Sequence, residues 1–189
     1  MIFLTGPHGA GKTTIAEMLV GHGFVYLDLG KLLRGKYREE DPEVSFESWC
    51  KVNEEKVGPS FTDDVIVLEI DALRRSIAAS AKPPRDLVIV GSRSLNGIRH
   101  ITGRVPNFNG RGNSVVYIDA PPEVLMQRYC DREGKQLSRS DFDALLERDV
   151  QMGLPSIDPC VDVRLFNNGS IRQLEEMTRE LVKQLGYSE

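Results

Sequence analysis

Two adjacent residues near the beginning of the sequence, Lys12 and Thr13, have the types needed to hold a polyphosphate and its metal ion. They close the segment GPHGAGKT (6–13), which fits the pattern G-x-x-x-x-G-K-[ST] at every fixed position. In such a segment the lysine reaches the β- and γ-phosphates, and the hydroxyl group is a ligand of Mg²⁺. The pattern therefore predicts a nucleoside triphosphate site with Thr13 as the metal ligand.

The backbone of this loop matters as much as its side chains. Its N–H groups surround the phosphates, the positive end of the following helix points at them, and glycines allow the backbone to approach closely. His8 lies inside the loop, and we expect its side chain to be accommodated by the turn without a chemical role of its own. The predicted nucleotide contacts in this segment are Gly6, His8, Gly9, Ala10, Gly11, Lys12, Thr13 and Thr14.

The loop needs a strand before it and a helix after it, and the sequence supplies both. Residues 2–5 form a short apolar run that is typical of a buried strand. Residues 11–20 have the spacing of a helix, and the Gly-His-Gly segment at 21–23 ends it. This strand–loop–helix context supports the phosphate-binding interpretation of the motif.

Four further apolar runs predict strands, and helical segments separate them. These strands are expected at 24–28, 87–90, 114–119 and 161–166. Because strands and helices alternate, we expect an α/β fold with a parallel sheet and helices on both faces. Ligands of such sheets bind at the carboxyl ends of the strands, where Asp28, residues 91–93 and Asp119 fall.

A long region without a strand, residues 35–84, separates the second and third predicted strands. It is expected to hold a helix at about 43–56 and a second helix, capped by Thr62, that runs to about residue 81. Trp49 in the first helix could stack on a bound base. Packing in the core of the helix pair is the favoured interpretation.

Capping residues also predict two helices in the last third of the chain. Ser140 is expected to cap a helix that ends near residue 152. Ser170 and Gln173 have the spacing of a capping box at the beginning of the final helix.

The composition restricts the class of protein. With 189 residues, 40% hydrophobic and 28% charged, the chain is expected to form one globular domain. The net charge of −4 and the lack of a basic block predict no nucleic-acid partner, and no apolar run has membrane length. The chain begins directly in a predicted strand without a signal peptide, and its cysteines are Cys50, Cys130 and Cys160. These features predict a cytoplasmic protein. For its oligomeric state we expect either a monomer or a homodimer.

The motifs, taken in order, resemble those of P-loop small-molecule kinases of the nucleoside monophosphate kinase type. This family includes adenylate and cytidylate kinases, dephospho-coenzyme A kinase and a poorly characterised nucleotide-kinase-related group. Besides the loop, the segments that carry the resemblance are YLDLGKLLR (26–34), VGSR (90–93), VYIDAPPE (116–123) and FNNGS (166–170). The resemblance implies a three-layer P-loop NTPase fold with strand order 2-3-1-4-5. It also implies a single domain over 1–189, with an acceptor-binding helical insertion at about 35–84 and a lid at about 128–139.

The resemblance further implies an ATP donor, Mg²⁺ and a set of phosphate-binding arginines. Arg34 and Arg93 would hold the acceptor phosphate. Arg128 and Arg132 begin the lid, and Arg148, which follows the lid in the sequence, would also reach the phosphates. Asn168 falls near the expected adenine site. Arginine suits these roles because its planar donors match phosphate and because phosphoryl transfer is stabilised mainly by electrostatics. The implied catalytic residues are Lys12, Asp28, Arg93, Arg128 and Arg132.

The chain departs from the family pattern at Val90, where the family has an aspartate that helps to hold Mg²⁺. Asp28 is the better candidate for the missing acid, and Asp119 ranks below it. Some related kinases of hydroxyl acceptors carry an acid at the end of the second strand that acts as a base or a metal partner.

Three functions remain open from the sequence. The first is transfer of the γ-phosphoryl group of ATP to a nucleotide-like monophosphate, a small-molecule acceptor. The second is phosphorylation of a hydroxyl acceptor with Asp28 as the base. The third is an ATP-binding regulatory ATPase or switch. The sequence lacks the Asn-Lys-x-Asp guanine motif of GTPases.

Overall fold

The computed structural model describes residues 1–40, 43–78, 81, 83–107 and 110–187. Its strands are β1 (Ile2–Thr5), β2 (Val25–Asp28), β3 (Leu87–Val90), β4 (Ser114–Asp119) and β5 (Val163–Phe166). All neighbouring pairs are parallel, and the order across the sheet is β2-β3-β1-β4-β5. The predicted fold class and strand order are confirmed.

Helices cover both faces of this sheet. They are α1 (Lys12–Gly21), α2 (Leu29–Glu39), α3 (Phe46–Val57), α4 (Phe61–Ala78), α5 (Leu95–Arg104), α6 (Pro122–Glu133), α7 (Arg139–Gln151) and α8 (Ile171–Gln184). A 3₁₀ helix at Leu154–Cys160, which the sequence did not predict, connects α7 to β5. Within the described ranges, no helix has both the length and the apolar character needed to cross a membrane.

The central strand β1 contributes to the apolar core on each face because successive side chains of a strand point in opposite directions. Ile2 and Leu4 pack in one apolar cluster with residues of α1, α6, α7 and α8. Met1 and Phe3 pack in a second cluster with residues of α2, α4 and α5. The loop that follows β1 is therefore anchored at the buried centre of the sheet.

Two predicted helix caps are wrong, and the shift is two residues or fewer in each case. Helix α4 begins at Phe61, so Thr62 lies inside the first turn instead of capping it. Ser138 caps α7 by accepting a hydrogen bond from the backbone N–H of Asp141, so the predicted cap Ser140 is also inside its helix. The sequence offers several hydroxyl residues at both places. The predicted end of α4 near residue 81 falls partly on residues outside the described ranges.

The region between β2 and β3 holds α2, α3 and α4, which pack together through aromatic side chains. Trp49 is 3% exposed, and its ring contacts those of Tyr37, Phe46 and Phe61. Its Nε1–H donates a hydrogen bond of 2.6 Å to Glu40. These contacts confirm the prediction that Trp49 packs in the core of the helix pair.

Candidate active site

The glycine-rich loop connects β1 to α1 in a conformation that only glycine adopts easily. Gly6, Gly9 and Gly11 have φ values of 131°, 80° and 94°. A Cβ atom on Gly6 would lie 2.0 Å from the carbonyl oxygen of Ile118, and one on Gly9 would lie 2.3 Å from that of Leu125. The glycines are therefore required both by their backbone angles and by close packing on β4 and α6.

Lys12 is buried under this loop and points back to its beginning. Its Nζ donates hydrogen bonds of 2.7 Å to the carbonyl oxygens of Gly6 and Pro7. Burial, together with the nearby positive charge of Arg93, lowers the pKa of Lys12 to about 7, so both effects favour the neutral amine. A polyphosphate bound in the loop would supply the negative charge that keeps this ammonium group protonated.

Asp28 contacts the loop from the end of β2. Its Oδ2 accepts a hydrogen bond of 3.3 Å from the Thr13 hydroxyl, and its Oδ1 caps α2 by accepting 3.0 Å from the backbone N–H of Lys31. The register of β2 and β3 pairs Asp28 with Val90, the position where the family resemblance expects an acid. Asp28 therefore brings a carboxylate to the hydroxyl that was predicted to bind the metal.

These two oxygen ligands fit Mg²⁺, which prefers hard oxygen donors and keeps several waters. Thr13 would bind the ion, and Asp28 would accept hydrogen bonds from the Thr13 hydroxyl and from a water molecule bound to the ion. When bound there, Mg²⁺ would supply positive charge that stabilises the negative charge of the phosphates during transfer. Asp119 instead accepts a hydrogen bond of 2.8 Å from the adjacent N–H of Ala120, which is consistent with its lower rank.

Arg93 reaches the loop from the segment after β3 and meets a buried carboxylate there. Its Nη1 donates a hydrogen bond of 2.6 Å to Asp149 Oδ1 and one of 3.3 Å to the carbonyl oxygen of Gly6. Asp149 Oδ2 also lies 2.9 Å from His8 Nδ1 and accepts 3.2 Å from the backbone N–H of His8. Burial raises the pKa of Asp149, but the hydrogen bond from His8 and the positive charge of Arg93 lower it, and the net shift is downward. The loop, the end of β3 and α7 thus meet at one carboxylate.

Arg34, an exposed residue of α2, lies near this cluster. Its guanidinium donates 3.3 Å to the carbonyl oxygen of Gly30 and lies 5.3 Å from the centre of the Phe46 ring. Its charge is close enough to act on Arg93, whose pKa is lowered first by burial and also by this neighbour. The structure therefore brings Arg34 to the same side of the sheet as Arg93.

The lid residue Arg132 and Arg148, which was predicted after the lid, differ in their placement. Arg132, at the end of α6, stacks 5.2 Å from the centre of the Tyr129 ring, and its charge also contributes to lowering the pKa of Lys12. Arg148 is exposed, and the residue that α7 directs at the loop is the adjacent Asp149. A phosphate contact of Arg148 stays a prediction. Asp149 was not singled out from the sequence, although Phe142 and Asp149 are seven residues apart and share one face of the helix.

A cavity of about 220 Å³ opens beside the first turn of α1. Arg128 lies along it and donates 2.9 Å to the carbonyl oxygen of Asn167 and 3.3 Å to that of Gly169. The other lining residues are Gly11, Thr14, Asn167, Gly169, Ser170, Ile171 and Leu174. The cavity lies next to the loop and combines polar side chains with the apolar side chains of Ile171 and Leu174, a combination that suits the base of a bound nucleotide.

The asparagine that contacts the loop is Asn167, one residue before the predicted Asn168. Asn167 is 3% exposed, and its Nδ2 donates 2.9 Å to the carbonyl oxygen of Ala10. Asn168 is exposed and does not line the cavity. The sequence places two asparagines at this turn, and only the geometry of the chain after β5 decides which one points inward.

Comparisons with known proteins agree with this geometry. The family model described as AAA domain matches residues 5–145. A UPF0200 protein of Thermococcus kodakarensis is 25% identical, with 98% of this chain and 97% of the relative covered. The UMP-CMP kinase of Homo sapiens is 27% identical over 86% of this chain and 82% of its own length.

A solved structure has the same fold over nearly the whole chain. The shikimate kinase from Acinetobacter baumannii superposes with a TM-score of 0.60 at 19% identity, covering 97% of this chain and 91% of the kinase. At this identity the likeness concerns the fold alone. The family match, the fold and the phosphate-binding loop lead to one conclusion. The chain belongs to the AAA domain family and, with its relatives, to the P-loop nucleotide kinase family of phosphotransferases.

Proposed function

We propose that this phosphotransferase moves the γ-phosphoryl group of ATP, with Mg²⁺, to a nucleoside monophosphate. The observation that carries the proposal is the convergence of Lys12 and Arg93, which both donate to the carbonyl oxygen of Gly6, at 2.7 and 3.3 Å. Because both groups contact the same oxygen atom, they lie close together, and both would be positively charged once a phosphate group is bound beside them. A phosphoryl group in transfer, with negative charge on its equatorial oxygens, is the ligand that this pair would stabilise.

The surroundings of this pair support a substrate on each side. The cavity beside α1 would hold the base of ATP. On the other side, Arg34 lies near Arg93 at the edge of the aromatic cluster formed by α2 and α3. An acceptor that already carries a phosphate needs such extra positive charge, because two polyanions repel each other.

The organisation of the domain follows from this proposal. Residues 35–84 would form the acceptor-binding insertion, and residues 128–139, which include the loop between α6 and α7, would form the lid. The partner would be a small molecule, and the protein would act as a monomer or a homodimer. The cysteines Cys50, Cys130 and Cys160 are all free thiols, which suits the proposed cytoplasmic location.

An acceptor screen tests the proposed function. Release of ADP from Mg·ATP would be measured with AMP, CMP, UMP, GMP and a panel of hydroxyl acceptors. We expect ADP release to depend on one or more monophosphates. In the variant Arg34→Ala the KM for that acceptor should rise about tenfold while the KM for ATP stays within about twofold. Arg99→Ala, which removes an exposed arginine of α5, is the matched control.

The hydroxyl-acceptor function is the second candidate, because Asp28 lies close enough to the metal site to act as a base. The variant Asp28→Asn separates the two roles when its activity is measured against Mg²⁺ concentration. If Asp28 supports the metal, high Mg²⁺ should restore much of the lost activity. If Asp28 removes the proton of a hydroxyl group, activity should stay low at every Mg²⁺ concentration.

The same screen addresses the third candidate, a regulatory ATPase or switch. A lid that excludes water should make ADP release depend strictly on an acceptor. ADP release at the same rate with and without every acceptor would contradict the kinase proposal and favour the switch.

A further inference from the structure

Asp149 is a buried carboxylate that the family resemblance does not account for. It is 1% exposed, although its neighbours Arg148 and Val150 on α7 are exposed. A buried carboxylate is costly unless it is paired and hydrogen-bonded. Asp149 is both, because Arg93 and His8 contact its two oxygen atoms.

The hydrogen bonds around Asp149 form a closed ring that fixes the state of His8. Arg93 Nη2 lies 3.3 Å from His8 Nε2, and because arginine can only donate, Nε2 must accept. Nδ1 then carries the proton and donates it to Asp149. Burial lowers the pKa of His8, in agreement with a neutral ring. The groups that face the imidazole of His8 are Arg93 and Asp149, with Lys12 near them. The Tyr129 ring lies beside it, with 5.9 Å between the two ring centres.

The ring fixes Arg93 without using all of its donors. Its contacts with Gly6, Asp149 and His8 involve three N–H groups of Nη1 and Nη2. A guanidinium group has five N–H donors, so Nε–H and one Nη2–H remain for a ligand. Asp149 therefore orients Arg93 and leaves donors for a phosphate oxygen.

We propose that Asp149 is a positioning residue, which together with neutral His8 holds Arg93 beside Lys12 in the orientation that phosphoryl transfer needs. This role rests on the proposed function. Without the carboxylate, the charges of Arg93 and Lys12 would repel each other across the Gly6 carbonyl oxygen, and the guanidinium would turn away. A misplacement of about 1 Å at a catalytic group lowers the rate about 100-fold.

The first test compares D149N with E147Q, which changes an exposed carboxylate on the same helix. With the acceptor found in the screen, D149N should lower kcat about 100-fold, with the KM for ATP within about threefold of the original protein. E147Q should leave both unchanged. The effect must also depend on Arg93: in an R93A background, D149N should change kcat less than about threefold.

Equal effects of D149N in both backgrounds, or a D149N variant with the kcat of E147Q, would overturn the proposal. Thermal unfolding of each variant identifies any loss of fold. A second measurement does not need an acceptor. Nitrogen-15 NMR of the histidine rings should show His8 as the neutral Nδ1–H form at pH 7, assigned with H8Q, and D149N should abolish that signature.

An Nε2–H form of His8, or an Nδ1–H signature that survives in D149N, would refute the ring. Failure of the proposed function can be distinguished from failure of the positioning role. In that case the original protein would release no ADP with any monophosphate, while the NMR signature of His8 would persist. The binding of the non-hydrolysable ATP analogue AMP-PNP then tests the orientation of Arg93. D149N should weaken it about tenfold relative to ADP, and equal loss for the two nucleotides would overturn the positioning role.

Discussion

The low pKa of Lys12 predicts that nucleotide binding depends on pH in a specific direction. Burial, together with the positive charge of Arg93, lowers this pKa to about 7 from an ordinary value of 10.5. The phosphates of a nucleotide oppose both effects and stabilise the ammonium form, so binding raises the pKa again. Binding above pH 7 should therefore include the uptake of a proton by Lys12, and affinity should fall as the pH rises.

The size of the effect follows from the fraction of protein with a charged Lys12. With a pKa of about 7, roughly nine molecules in ten are protonated at pH 6 and about one in ten at pH 8. If only the ammonium form binds tightly, the Kd for Mg·ADP should rise about tenfold between these pH values, which corresponds to about 1.4 kcal/mol.

Isothermal titration calorimetry with Mg·ADP measures both the Kd and the proton uptake, the latter from buffers of different ionisation enthalpy. The nucleotide itself also titrates, so the variant Lys12→Arg is the reference. Its guanidinium stays charged throughout and should show only the pH dependence of the nucleotide. If the original protein loses no more affinity than Lys12→Arg between pH 6 and pH 8, Lys12 is charged throughout and the argument from burial is refuted.

Three substitutions test backbone angles and buried contacts of the fold, each by the free energy of unfolding in urea. Gly91→Ala places a side chain at φ 98° in open space and should cost about 1–2 kcal/mol of strain; no loss would contradict the assigned backbone angle. Gly6→Ala adds a collision with the Ile118 carbonyl oxygen and should lower the free energy of unfolding by more than about 4 kcal/mol. A loss equal to that of Gly91→Ala would show that the loop can shift. Tyr187→Phe removes the hydroxyl that donates to buried Asp86 and should cost about 1–3 kcal/mol; an unchanged stability would mean that water replaces it.

The sequence was sufficient for the elements that depend on local patterns. The apolar runs at Ile2–Thr5 and Leu87–Val90 are buried along their whole length, as a covered parallel strand requires. The loop could be predicted because its function fixes both residue types and their spacing. Trp49 could also be assigned to the core, since Phe46 and Trp49 are separated by about one helical turn.

The choice between neighbouring residues could not be made from the sequence. Arg148 and Asp149 point about 100° apart around α7, and the rotation of that helix is set by the burial of Phe142 in the core. The family resemblance named Arg148 as a residue that reaches the phosphates, a contact that stays a prediction, and the helix directs the neighbouring carboxylate of Asp149 at the loop. Asn167 and Asn168 pose the same problem, because the path of the chain after β5 selects the inward residue.

The acid that the family resemblance expects at Val90 has a structural counterpart one strand away. Register partners on parallel strands project on the same face of the sheet, so Asp28 on β2 faces α1 as Val90 on β3 does. Val90 is 2% exposed in the apolar cluster beneath α1, where a carboxylate would lose its hydration. Asp28 is only partly buried, and it can contact Thr13 while keeping the water that Mg²⁺ retains. The departure at Val90 is therefore compatible with metal-assisted phosphoryl transfer, with the carboxylate supplied from β2.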